Sequence, residues 1–90
     1  MKTQFWKVTL GNSYHINMVL IYNRMDCCQE RINGAEVWAD NHICGKVFYE
    51  ANRQTYSVSC NGVKASEVSV KLSTGNYLSL SEVQVFGKWV

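Results

Sequence analysis

The 90 residues carry a formal charge of +2, with basic and acidic side chains spread along the whole chain; this leaves neither the basic stripe of a nucleic-acid binder nor an acidic tail. Hydrophobic residues make up 47%, enough for one domain with a small core, since a chain of this size buries only about 60–65% of the surface it exposes when unfolded. The longest apolar run, Met18 to Tyr22, falls far short of the ~20 residues that span a bilayer, and residues 1–15 lack the uninterrupted apolar core of a signal peptide, so a soluble chain, with any leader removed or outside this segment, is expected.

Proline is absent and no helical stripe is visible; the apolar residues fall in short alternating runs, which predicts an all-β chain. Phe5–Leu10 alternates, Gly11-Asn12-Ser13 reads as a turn, and Tyr14–Tyr22 follows as a longer strand. In that strand Ile16, Met18, Leu20 and Tyr22 share one face, while Val19 and Ile21 make the other face apolar too, as in a central strand. Asn23 to Ile32 breaks the pattern with charge and cysteine and reads as a loop, closed by the turn signal Asn33-Gly34 before a strand at Ala35–Ala39. Asp40-Asn41-His42 is a second turn before Ile43–Tyr49, and Tyr56–Cys60 ends at Asn61-Gly62. Val68–Leu72 and Tyr77–Phe86 flank Thr74-Gly75-Asn76 as a hairpin. About seven short strands with frequent turns predict a sandwich or jelly roll, without repeats or linkers.

The four cysteines are even in number, which favours disulfides and an oxidising, extracellular setting. Zinc is the competing use, but Cys27 and Cys28 are adjacent and neither C-x2-C nor H-x3-H occurs, so the tetrahedral ligand spacing is missing. Neighbouring cysteines close on each other only with strain, because their Cα atoms lie ~3.8 Å apart. Pairing each with Cys44 or Cys60 is the ordinary alternative, and on residue chemistry both arrangements stay open.

Arg24, Asp26 and Arg31 place two guanidiniums and a carboxylate within eight residues. Guanidiniums offer planar, fixed donors that grip vicinal hydroxyls, and Asp26 is positioned to hold both and balance their charge. The plainer reading is a solvated turn whose surface ion pairs contribute ~0–1 kcal/mol. Adjacent cysteines inside the same loop tip the balance, since a closed Cys27-Cys28 ring would stiffen it and offer a polarizable sulfur surface to the apolar face of a sugar.

The segments Trp6–Gly11, Asn23–Val37 and Tyr77–Gly87, and above all Arg24-Met-Asp26-Cys27-Cys28-Gln-Glu-Arg31, resemble the F-type lectins, over a stretch running from Phe5 to Gly87. The resemblance implies a jelly-roll-like β-sandwich of the galactose-binding-domain type, here without the family's first strands. It implies that Arg24 and Arg31 donate to the ring oxygen and hydroxyls of L-fucose, with a Cys27–Cys28 disulfide against the sugar ring. A second bridge is implied between Cys44 and Cys60, which by loop-closure entropy is worth about 3 kcal/mol.

The family's third sugar-contacting group, a histidine upstream of the first arginine, would fall ahead of Met1. So would its apolar loops and most of its calcium ligands. Neither His15 nor His42 takes that histidine's place by position; both are expected to be structural or surface residues. A family cysteine is replaced by Ser81, and Glu82 matches a calcium ligand. One carboxylate cannot supply the six to eight oxygens calcium takes, so Glu82 is expected to be a solvent-facing strand residue opposite a lysine and no cofactor is expected. Trp6 and Trp38 are expected in the core; Trp89 fits either core or surface. The resulting expectation is a secreted module for fucosylated glycans, weakened by the missing contacts and completed by self-association or a partner chain over an open sheet edge. The rival is a scaffold protein that no longer binds sugar. Catalysis is not expected, because glycoside hydrolysis needs two facing carboxylates and oxidised cysteines cannot attack.

Overall fold

In the computed structural model, residues 4–72 and 80–89 are described. They form an all-β antiparallel sheet of five strands in the order β3-β2-β4-β1-β5, with β1 at Gln4–Asn23, β2 at Glu36–Ala39, β3 at His42–Lys46, β4 at Thr55–Leu72 and β5 at Leu80–Trp89. The seven expected strands become five because two turn signals are not turns. Gly11-Asn12-Ser13 and Asn61-Gly62 lie inside β1 and β4, where Gly11, Asn61 and Gly62 take positive φ and the ladder between the two strands shifts register. Such insertions bend a strand pair without ending it. The hairpin expected at Thr74-Gly75-Asn76 lies outside the described residues.

The bends turn one sheet into two layers. Residues 4–9 of β1 pair with 67–72 of β4, which carries β2 and then β3, whereas residues 14–23 of β1 pair with 55–65 of β4 on one side and with β5 on the other. The outer strand β3 then lies across the first half of β4, tied by the Cys44–Cys60 disulfide, and a Cβ on Gly45 would stand 3.1 Å from a Val58 methyl. A smallest dimension of 18 Å suits two sheets packed ~10 Å apart. The core between them includes Ile16, Val19, Ile21, Ile32, Val37, Val47, Val68, Val70 and Leu72.

A register shift between Ile16 and Met18 corrects the face assignment of the central strand. One residue slipped in a strand exchanges its faces, so Ile16 joins Val19, Ile21 and Asn23 in the interior, while Met18, Leu20 and Tyr22 are only half-buried. The position of β1 between β4 and β5 agrees with the central strand expected. Trp6 packs against the core as expected, but Trp38 does not: Val37 and Ala39 occupy the inward positions of β2, leaving the indole half-buried on the outer face beneath Lys71, 4.5 Å from its centroid. Trp89 is exposed and tilted against Tyr14 at 4.8 Å.

Strand β5 passes very close to β1 at Gly87, where a Cβ would meet the His15 carbonyl oxygen at 2.5 Å. Only glycine fits without moving backbone. Gly87→Ala is therefore expected to cost about 1–3 kcal/mol, the usual range for overpacking, read as a lower midpoint in urea unfolding; an unchanged midpoint would contradict this strand pairing.

Candidate functional site

The polar segment after β1 is a compact finger. It contains one short 3-10 turn, Gln29–Ile32, that begins after Cys28 in the left-handed conformation, φ 62°, a region costly for a residue with a Cβ and kept only where surroundings enforce it. Cys27 and Cys28 are bonded to each other, as the family resemblance implied, so all four cysteines are paired within the chain.

Amide side chains hold the finger in place. Asn23, 1% exposed at its base, donates from Nδ2 to the Gln29 carbonyl at 3.0 Å and from its backbone N–H to the Gln54 carbonyl at 2.7 Å. Gln29 donates to the Met25 carbonyl at 3.4 Å and accepts from the Asn52 N–H at 3.2 Å. Asn33 Oδ1 accepts the Tyr49 N–H at 2.9 Å, and Ile32 plugs the core beneath. The sequence reading assigned no role to Asn23 or Gln29, and gave Asn33 only that of a turn residue. Amides at both ends of a charged loop are a usable signal, because they mimic backbone partners, but their partners in residues 47–54 are visible only in the fold.

Arg24 and Asp26 form a bidentate pair, Nε to Oδ1 at 2.5 Å and Nη2 to Oδ2 at 2.9 Å, with both side chains exposed. Arg31 is not part of it. Asp26 was expected to hold both guanidiniums, but Arg31 sits in the 3-10 turn, its N–H bonded to the Cys28 carbonyl at 3.1 Å, on the far side of the left-handed Cys28. The half-buried Arg31 has no side-chain hydrogen bond or ion pair among the described residues. The finger thus presents a guanidinium fixed by a carboxylate, a disulfide, and a second guanidinium whose donors are uncommitted within that set.

Bonding to Arg24 holds the Asp26 carboxyl below its usual range, and Asp26 in turn raises Arg24. A carboxylate whose pKa is depressed by folding contributes fully above its unfolded pKa and loses that contribution as pH falls through the lowered value. Any ligand affinity that depends on this pair should therefore be flat from pH 8 down to the ordinary carboxylate range and decline below it. Titrations at several pH values check this; a decline near pH 6 to 7 would point to a different group.

The remaining candidates lie elsewhere. His15 Nδ1 is 3.0 Å from the Gly62 carbonyl oxygen, a structural contact, and exposed His42 opens β3. Glu82 is exposed on β5 as expected, but its ladder partner is Tyr22, not a lysine, and its carboxylate accepts from Gln84 at 3.4 Å. Among the described residues no three His, Cys, Asp or Glu side chains converge. No helix among them is long and apolar enough to cross a membrane. Ser81 Oγ donates to the Asn23 carbonyl at 3.4 Å, joining β5 to the base of the finger.

A family profile described as "NedA-like, galactose-binding domain" matches residues 1–70. The pentraxin fusion protein of Xenopus laevis is 36% identical over 92 residues, covering 91% of this chain and 22% of that protein. Fucolectin-6 of Anguilla japonica is 35% identical over 88 residues, covering 90% of this chain and 47% of its own length. The chain thus spans about half of this fucolectin and less of the fusion protein. The solved fucose binding module from Streptococcus pneumoniae superposes with a TM-score of 0.75 at 30% identity, covering 91% of this chain and 62% of that structure. A match over most of the chain to the galactose-binding profile, and near-complete coverage by fucolectin and fucose-module relatives, lead to one assignment: the chain belongs to the NedA-like galactose-binding domain family and is an F-type lectin domain.

Proposed function

We propose that this chain is a carbohydrate-binding lectin module that recognises L-fucose or a related deoxy sugar at the Arg24–Arg31 finger. The observation that carries the reading is a closed Cys27–Cys28 disulfide between a carboxylate-fixed Arg24 and an Arg31 free of side-chain partners among the described residues. A sugar ring has an apolar face and a polar rim. The sulfur surface suits the first, and the fixed planar donors suit vicinal hydroxyls and the ring oxygen. The names of the fucolectin and fucose-module relatives support the same ligand class.

In this reading Arg24 and Arg31 are donors, Asp26 orients Arg24, Cys27 and Cys28 form the platform, and binding needs no metal and leads to no bond breaking. Secretion fits a chain whose cysteines are paired, because such bridges persist in oxidising compartments. Self-association or a partner chain along an open edge belongs to the same proposal, since Phe86 and Trp89 on β5 are exposed; a monomer in light scattering at micromolar concentration counts against it.

Calorimetric titration of L-fucose into the oxidised protein tests the central claim. Saturable binding, weak for one monosaccharide and absent for D-glucose, is expected. No heat at millimolar fucose from a folded protein would leave the scaffold reading in its place.

A further inference from the structure

The sheet formed by the start of β1, the end of β4 and β2 has an outer face with chemistry of its own. Alternation in β1 packs Trp6, Val8 and Leu10 against the core and leaves Phe5 and Lys7 outside. In β4 it buries Val68, Val70 and Leu72 in the core and turns Glu67, Ser69 and Lys71 to the other face. The ladders set Lys71 between Phe5 and Glu36, and Ser69 between Lys7 and Trp38. Phe5, Lys7, Glu67, Ser69 and Lys71 border an open cavity of about 380 Å³ together with the Asp40-Asn41 turn, and no residue of the Arg24–Arg31 finger lines it.

Some of these groups are fixed and others are uncommitted. Asp40 Oδ1 accepts the Ser66 and Glu67 N–H groups at 3.2 and 3.0 Å, and the Asp40 N–H donates to the Glu67 carbonyl at 2.9 Å. These bonds pin the turn to β4 and leave the second carboxylate oxygen, Oδ2, without a partner among the described residues. Glu67 pairs with Lys7 at 3.8 Å. Lys71 lies 4.5 Å from the Trp38 ring centroid and has no carboxylate partner within that set. Ser69 is only 4% exposed, yet it lines the cavity and its hydroxyl makes no hydrogen bond to any described residue. A polar side chain so deeply placed is normally satisfied, so an unused one beside a cavity points to a ligand. Phe5, 62% exposed, adds apolar surface. Two ammonium groups balance two carboxylates around the cavity, which favours a neutral ligand carrying both donors and acceptors over an ion.

We propose that this cavity is a second saccharide site, independent of the finger, and that it takes the acetamido group of an N-acetylhexosamine. An acetamido group joins an N–H donor, a carbonyl acceptor and a methyl group. The free oxygen of Asp40 suits the donor, the Lys71 ammonium and Ser69 hydroxyl suit the acceptor, and the Phe5 ring suits the methyl. A simple hexose has only hydroxyls and no apolar group for Phe5. One domain with two unlike sites would hold a glycan bearing both sugars more firmly than either site alone.

Nuclear magnetic resonance titration of the oxidised, nitrogen-15-labelled chain with N-acetyl-D-glucosamine, N-acetyl-D-galactosamine and D-glucose tests the site. At least one acetamido sugar at millimolar concentration is expected to shift the amides of Asn41, Ser69 and Lys71 saturably while those of residues 24–31 stay in place; D-glucose is expected to shift neither group. Ser69→Ala and Lys71→Met are each expected to weaken that binding roughly two- to tenfold, the scale of one hydrogen bond, with circular dichroism and L-fucose affinity matching the parent. No saturable shift at the cavity of the folded parent, an equal response to D-glucose, or an affinity that survives both substitutions would overturn the site. L-fucose failing to bind the finger would leave this site standing, so the two readings fail separately.

Discussion

Arg31→Ala is expected to reduce L-fucose affinity by roughly 10- to 100-fold, because hydrogen bonds to a charged group contribute about 1.5–3 kcal/mol each. Its guanidinium has no side-chain partner among the described residues, so removing it strands no buried carboxylate and leaves the fold intact; the thermal midpoint should move little. Arg31→Lys should recover only a small part of the loss, since an ammonium keeps the charge without the planar fork. Arg24→Ala is a less clean experiment because it also releases Asp26. Calorimetry on Arg31→Ala, with unfolding followed in parallel, separates recognition from stability. Unchanged fucose affinity in a folded Arg31→Ala protein would end the proposed role of the finger.

Replacing Cys44 and Cys60 together by alanine is expected to produce the opposite pattern. The bridge spans a sequence separation of 16, a loop whose closure is worth about 3 kcal/mol in the unfolded chain. In a domain of this size that corresponds to a fall in thermal midpoint of roughly 12–24 °C. The tie joins β3 to the first half of β4 and neither cysteine belongs to the finger, so the folded fraction should keep its sugar affinity. Replacing Cys27 and Cys28 instead constrains almost no chain, and should weaken sugar binding with little change in midpoint. The two double substitutions read by thermal unfolding and calorimetry form a crossed pair, and equal midpoint losses in both would contradict the division of labour between the bridges.

Much of the fold was legible because alternation carries it. Val37 and Ala39 of β2, and Val68, Val70 and Leu72 of β4, are buried at every second position, and Asp40-Asn41 forms the β2–β3 turn, with Asp40 at φ 50°. The errors cluster where a turn residue serves a bulge. Gly11 and Asn61-Gly62 have the chemistry of chain reversal, and nothing within a few residues distinguishes a reversal from a bend when the strand is re-paired beyond it. The displaced inward face of β1 around Asn17 and the outward Trp38 have the same origin, since a face is defined only once register is set.

For the site, the local sequence determined the chemistry: which donors, carboxylate and cysteines share one short loop, and, through the family pattern, that Cys27 meets Cys28 and Cys44 meets Cys60. Tertiary structure alone decided their arrangement. It bound Asp26 to Arg24 and not Arg31, and gave Asn23, Gln29 and Asn33 their bracing roles. The physical reason is range: covalent proximity fixes which groups can meet within a loop, whereas partners some twenty residues away are chosen by strand register and by how the layers close.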